Sequence, residues 1–194
     1  MRPDVETLAA ATAVLDVRTL YVALPAEVVA DLRTDHAGET GAVFIYRGVL
    51  RFARDPALRH FAARHLVTEQ SHLQRIEAWL EPSARSRLLP LWRVAGFLTG
   101  ALPALLGPRA VYGTIEAVER FVDGHYGAQV RALEGRPELH ALRDTLRECQ
   151  ADEVEHRDEA AAARGAGRPG LLMRGWAWMV DTGSRAAVAV CRQV

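Results

Sequence analysis

Glu69-Gln70-Ser71-His72 and Glu153-Val154-Glu155-His156 are the two places in this 194-residue chain where a Glu is followed three positions later by a His. On a helix that spacing sets both side chains on one face, one turn apart, so each pair can share a metal ion. Chance alone would supply about half of one such pair from this composition, so the motifs gain weight only from their surroundings. Both lie in helical runs. Asp55 as cap and Pro56 in the first turn open a run that closes near Leu80, and a later run extends from about Glu138 to Arg164. Two further runs precede them in the same order, Pro25 to about Arg51 and Pro108 to about Glu134.

The preceding runs carry Glu39, thirty residues before Glu69, and Glu119, thirty-four before Glu153. The chain therefore reads Glu then Glu-x-x-His, twice. One Glu from each of two helices and a Glu-x-x-His from each of two others is the ligand set of ferritin-like dimetal bundles. Tyr46 and Tyr126 each follow the single Glu by seven residues, which points to a duplicated helix pair. Four carboxylates converging inside a bundle would repel one another, and two divalent cations cancel that charge. Carboxylate and imidazole donors without thiolates suit non-haem iron or manganese, and iron if dioxygen is used. Glu116 and Glu155 compete for the inward positions of their helices; Glu119 is assigned because it mirrors Glu39.

Asp35, Asp123 and Asp152 lie within about one turn of these residues and are candidates to hold the outer nitrogens of the histidine ligands, against the plainer reading of solvated helix surface. His125 and Tyr126 follow Glu119 closely enough to serve a proton or electron relay. His36, His60, His65 and His140 sit in no repeated motif and read as surface or satisfied core residues.

The expected class is all-α, a ferritin-like four-helix bundle with an additional apolar helix and a C-terminal helix. Pro and Gly separate the runs, and no segment alternates with period two. With 49% hydrophobic and 25% charged residues the composition is globular, and the length fits one domain, residues 26–194, behind a variable leader over 1–25. The 24 basic residues, all Arg, are balanced by 24 acidic ones, which argues against nucleic acid as a partner. The absence of Lys excludes Schiff-base and P-loop lysine chemistry. Cys149 and Cys191 are too few for a disulfide framework, and the acidic N-terminus does not read as a secretory signal, so a cytoplasmic protein is expected.

The run from Leu88 to Gly107, LLPLWRVAGFLTGALPALLG, is the most apolar. Arg93 interrupts it, leaving fifteen uncharged residues from Val94 to Pro108, short of the roughly 20 that span a bilayer. A helix lying in the membrane interface and a buried core helix are the competing readings. The last run, Leu171 to about Arg192, adds Trp176 and Trp178 near Arg174 and divides in the same way.

Several strings closely resemble the demethoxyubiquinone hydroxylases of ubiquinone biosynthesis: Leu32-Arg33-Thr34-Asp35-His36-Ala37-Gly38-Glu39-Thr40-Gly41-Ala42 with Ile45-Tyr46, Leu89-Pro90-Leu91-Trp92-Arg93-Val94-Ala95-Gly96-Phe97, Ala104-Leu105-Leu106-Gly107, Glu119 with His125-Tyr126, and Asp152-Glu153-Val154-Glu155-His156. The resemblance runs from about Ala26 to the C-terminus. It implies a peripheral membrane diiron monooxygenase that hydroxylates the ring of a polyprenylated demethoxybenzoquinol with dioxygen, using two iron ions and electrons ultimately from NADH. On that resemblance the metal ligands fall on Glu39, Glu69, His72, Glu119, Glu153 and His156, and the residues acting beside the metals on His125 and Tyr126. Arg120 and Arg157 stand where members often carry Glu and His. The implied partners are the quinol, a membrane surface, the cytoplasmic face of the inner membrane in a bacterium, and a lipid-binding accessory protein. The rival readings are a ferritin-like peroxidase or iron-oxidising protein, and a non-catalytic quinone- or lipid-binding helical scaffold.

Overall fold

The computed structural model describes residues 24–167 and 170–194; all but the last two residues of the expected leader lie outside them. Among the described residues six α-helices follow one another: α1 (Ala26–Phe52), α2 (Pro56–Glu77), α3 (Leu89–Leu106), α4 (Pro108–Ala132), α5 (His140–Arg164) and α6 (Leu171–Cys191). No strand occurs among the described residues. The helices match the six runs expected from the sequence. Their ends differ by up to three residues: α2 stops at Glu77 rather than near Leu80, and a short 3₁₀ turn (Pro137–Leu139) takes up the expected start of α5. Such ends are where chain punctuation is weakest.

The local causes are visible. Asp55 accepts a hydrogen bond from the Leu58 amide at 2.8 Å, and Pro56 occupies the first turn, so α2 starts with both an acceptor and a preset φ. Gly107, at φ 107°, joins α3 to α4 in a backbone state that a Cβ would strain.

Helices α1, α2, α4 and α5 form the all-α, ferritin-like bundle, with α1 against α2 and α4 against α5. Their apolar positions, with Leu80 just beyond the end of α2, make two buried clusters. One contains Val49, Leu58, Phe61, Val111 and Ile115; the other contains Leu32, Ile76, Leu80, Leu142 and Leu146. Along α1 and α2 the buried Glu39, Glu69 and His72 fall between these clusters, so the bundle is apolar at both ends and polar in its middle.

Helix α3 lies along the outside of α1, and glycines set the distance between them. A Cβ on Gly96 would fall 2.3 Å from the Gly41 carbonyl oxygen, and one on Gly100 would fall 1.9 Å from that of Ile45. Packed on that side, α3 presents Leu91, Val94, Leu98, Leu102 and Leu105 outward at steps of three and four residues. Helix α6 rests on α4 and α1 and exposes Leu171, Leu172 and Trp178.

Candidate metal centre

The inward faces of four helices meet at one layer. Helix α1 contributes Glu39, α2 contributes Glu69 and His72, α4 contributes Glu119, and α5 contributes Glu153 and His156, and all six are buried. Their donor atoms form two groups, each within 4.8 Å: Glu39, Glu69, His72 and Glu153 in one, and Glu69, Glu119, Glu153 and His156 in the other. Glu69 and Glu153 belong to both. Each group thus holds one carboxylate and one imidazole of its own and shares two carboxylates with its neighbour.

The donors crowd together and satisfy one another only in part, through the 3.1 Å hydrogen bond between His72 Nδ1 and Glu153 Oε1. The Nδ1 of His156 lies 3.1 Å from Glu69 Oε1 and 3.3 Å from Glu153 Oε2. These approaches lack hydrogen-bond alignment, and Glu39 Oε2, both Glu69 oxygens, Glu153 Oε2 and His156 Nδ1 remain buried without partners. Buried acceptors left unpaired are costly, and divalent cations between them remove the cost. The residues therefore fit a pair of divalent cations.

The protonation pattern of the metal-free cluster has the same origin. Burial pushes the Glu39 and Glu119 carboxyls well above their usual range, and the charge of Glu153 adds to it. Burial acts on Glu69 too, but the imidazoles of His156 and His72 outweigh it and bring this carboxyl down to about 2. Desolvation disfavours imidazolium at His156 and His72; Glu153 and Glu69 overcome it, raising His156 to about 9 and His72 further. Protons stand in for metal charge.

A pH dependence follows. Because His72 and His156 titrate above their ordinary value of 6.5, their imidazolium forms stabilise the metal-free fold fully below pH 6.5, and this falls progressively as pH rises, through about 9 for His156 and further for His72. Glu39 and Glu119, also raised, act in the same direction. Calorimetry of chelator-treated protein should show Tm falling between pH 6.5 and 9, with added Fe(II) or Mn(II) cancelling the fall. A Tm that rises over that window would overturn this electrostatic account.

Around the cluster the duplicated pattern closes across the bundle. Tyr126 of α4 donates to Glu39 of α1, and Tyr46 of α1 donates to Glu119 of α4 at 3.4 Å. Burial and the adjacent carboxylates raise both phenols well above their normal range, keeping them as donors. Of the three aspartates proposed to hold ligand nitrogens, Asp152 does so, 3.0 Å from His72 Nε2, leaving Nδ1 turned to the carboxylates. The other two do not. Asp123 pairs with Arg157 and Gln150, and Asp35 holds His125 at 3.0 Å and Gln129. Glu116 is drawn off by Arg164 and Arg120, and Glu155 is exposed, so neither competes with Glu119.

Among the remaining histidines, His60 and His140 are exposed and His36 is buried against Glu77. His65 goes beyond a satisfied core residue: its ring meets the His156 ring edge-on with centroids 4.0 Å apart, and its Nε2 is 2.9 Å from Glu159. Sequence reasoning missed that pair. His65 is one turn before Glu69 and Glu159 one turn after His156, so extending each helix face by a turn would have found it. Thr34 and Trp92 stand inside the strings that carry the resemblance and Gln129 outside them, but none has the spacing of a ligand or relay residue, so none was singled out.

A cavity of about 380 Å³ opens from the cluster, bounded by α1, α3, α4 and α6 and reaching Glu39, Glu119 and Glu153. His125 and Tyr126 line it, as do Asp35 and Trp92.

Comparison with known proteins agrees with this architecture. The profile of the family described as "Ubiquinone biosynthesis protein COQ7" matches residues 26–191. A Rhodospirillum rubrum protein named 3-demethoxyubiquinol 3-hydroxylase is 38% identical over 170 residues, 84% of this chain and 76% of that protein. The mitochondrial 5-demethoxyubiquinone hydroxylase of Saccharomyces cerevisiae is 33% identical over 147 residues, 66% of this chain and 63% of its own. The mouse NADPH-dependent 3-demethoxyubiquinone 3-hydroxylase is 36% identical over 132 residues, 66% and 60%. The chain thus spans less than two thirds of the two mitochondrial relatives. With a match over nearly all of the described helices, the chain belongs to the COQ7 family of ubiquinone-biosynthesis proteins.

Proposed function

We propose that this protein is an oxidoreductase of the 3-demethoxyubiquinol 3-hydroxylase type, which inserts one oxygen atom of dioxygen into a ring C–H bond of a polyprenylated demethoxybenzoquinol. The other oxygen atom leaves as water, with two electrons and one proton drawn ultimately, as hydride, from a reduced nicotinamide nucleotide and a second proton from solvent. NADH is the donor that the family resemblance implies, and the mouse relative is named for NADPH. The observation that carries the reading is the cavity ending on Glu39, Glu119 and Glu153, which gives a ring a place to stand beside the carboxylate cluster.

Two iron ions are the cofactor this reading assigns; Glu39 and His72 would hold one and Glu119 and His156 the other, with Glu69 and Glu153 available to both. Oxygen and nitrogen donors without thiolate suit iron, which when bound supplies dioxygen activation. The chain's own residues do the rest. Asp152 fixes the orientation of the His72 ring, while Tyr126 and Tyr46 restrain the two unshared carboxylates. His125 and Tyr126, on the cavity wall, are placed to exchange protons with the substrate ring.

The outward stripe of α3 supports a peripheral membrane location, on the cytoplasmic face of the inner membrane in a bacterium. Leu89–Leu106 is long and apolar enough to cross a bilayer by length and composition, with mean hydropathy 1.4 and 28% of it buried. Yet α3 is bound along its length to α1, whose Arg47 and Arg51 are exposed beside it. Lying in the interface lets α3 accept a tail from the lipid while the charged helices stay in water.

One experiment tests the whole reading. Iron-loaded protein is given demethoxyubiquinol in lipid vesicles with a chemical reductant and dioxygen. Hydroxylated quinol should form, and the protein should pellet with the vesicles; the Glu119→Ala variant should form none. Peroxide consumption without quinol hydroxylation would favour the peroxidase rival, and full activity in metal-free protein would defeat the dimetal assignment.

A further inference from the structure

The cavity wall contains two buried polar atoms that the protein leaves unpaired. Asp35 lies one turn before Glu39 on α1, and its side chain is fully buried. Its Oδ1 is occupied: His125 Nε2 approaches to 3.0 Å, and the Gln129 amide donates at 2.6 Å. Its Oδ2 has no partner. On α3, Trp92 Nε1 is also buried without a partner, and both residues line the cavity. Apart from the carboxylate cluster, these are one acceptor and one donor awaiting a ligand.

Their chemistry is selective. A quinone ring offers only acceptor oxygens, carbonyl and methoxy, whereas a hydroquinone offers O–H donors as well. The indole N–H of Trp92 can donate to either form. An ionised Asp35 carboxylate only accepts, so its Oδ2 is satisfied by a donor, and a carbonyl placed against it would set acceptor against acceptor. A site built to hydrogen-bond a hydroxyl rejects the analogue that lacks it, because its own buried group is then left unpaired.

Resting on the function proposed above, we propose that Asp35 is the specificity-determining residue by which this cavity admits the hydroquinone rather than the quinone form of its substrate. His125 and Gln129 position the carboxylate by holding Oδ1, and Trp92 anchors the ring without regard to oxidation state. A hydroxyl on Asp35 sets the ring within one helical turn of Glu39. The relatives' names divide on this point, since the bacterial protein is named for the quinol and the yeast and mouse proteins for the quinone.

Anaerobic titration calorimetry of the full chain with a decyl-tailed demethoxyubiquinone, as the quinone and as the chemically reduced hydroquinone, tests this. The wild type should bind the hydroquinone about tenfold or more tightly than the quinone, as expected from one buried acceptor gained or lost. Asp35→Asn, whose amide can donate to a carbonyl, should bring the two affinities to within about threefold. Trp92→Phe should weaken both forms while keeping their ratio. The wild-type preference is read without any substitution, and helicity and metal content should be unchanged in Asp35→Asn. Equal binding of both forms by the wild type, or an unchanged ratio in Asp35→Asn, overturns the inference while vesicle hydroxylation still stands. Failure to bind either form, with no hydroxylation, overturns the functional reading as well.

Discussion

Glu69→Ala is expected to empty both metal subsites at once and reduce ring hydroxylation below detection. Glu69 stands in both donor groups, is fully buried, and has neither oxygen hydrogen-bonded to the protein. Its removal takes one of four donors from each subsite and leaves Glu153 as the one shared carboxylate of the six residues. Glu119→Ala is the informative contrast, because Glu119 belongs to one group only. Metal analysis should find close to two ions per chain in the wild type, close to one in Glu119→Ala and close to none in Glu69→Ala. The Glu69 variant should still fold, because losing a carboxylate also relieves its repulsion on Glu39 and Glu119, to whose raised proton affinity it contributes. What it should lose is the rise in Tm on adding metal, since a ligand stabilises a fold only by binding it. Full metal occupancy in Glu69→Ala would show that Glu69 is not a required ligand.

Gly100→Val is expected to be the most damaging substitution away from the metal residues. Even a single added carbon would lie 1.9 Å from the Ile45 carbonyl oxygen, and that atom is helix backbone, which cannot rotate away. Helix α3 must therefore separate from α1. We expect a loss of about 3 kcal/mol or more, at or beyond the upper end for overpacked sites, read as a fall in urea midpoint. The effect should reach the chemistry, because Trp92 and Gly96 of α3 form one wall of the cavity. Hydroxylation should fall while both metals remain bound, since α3 contributes none of the six residues. A Gly100→Val protein with wild-type stability and turnover would mean that the close contact of α1 and α3 is not maintained in solution.

The sequence by itself determined the features that repeat with the helical period. Glu-x-x-His places its two donors on one face whatever the helix packs against, and Pro, Gly and the Asp55 cap break the chain where they stand, so six helices and six converging residues could be read in advance. Only the tertiary structure decided what depends on the distance between helices. It made Glu69 and Glu153 the shared carboxylates, paired Tyr126 with Glu39 and Tyr46 with Glu119, gave Asp123 to Arg157, and brought Asp35 and Trp92 to one cavity. It also laid α3 along α1 through Gly96 and Gly100, where composition had left an interfacial helix and a core helix open. The reason is physical: periodicity states which face of a helix is buried, but the partner of that face is set by how closely two backbones approach, and that distance is a property of the packed bundle.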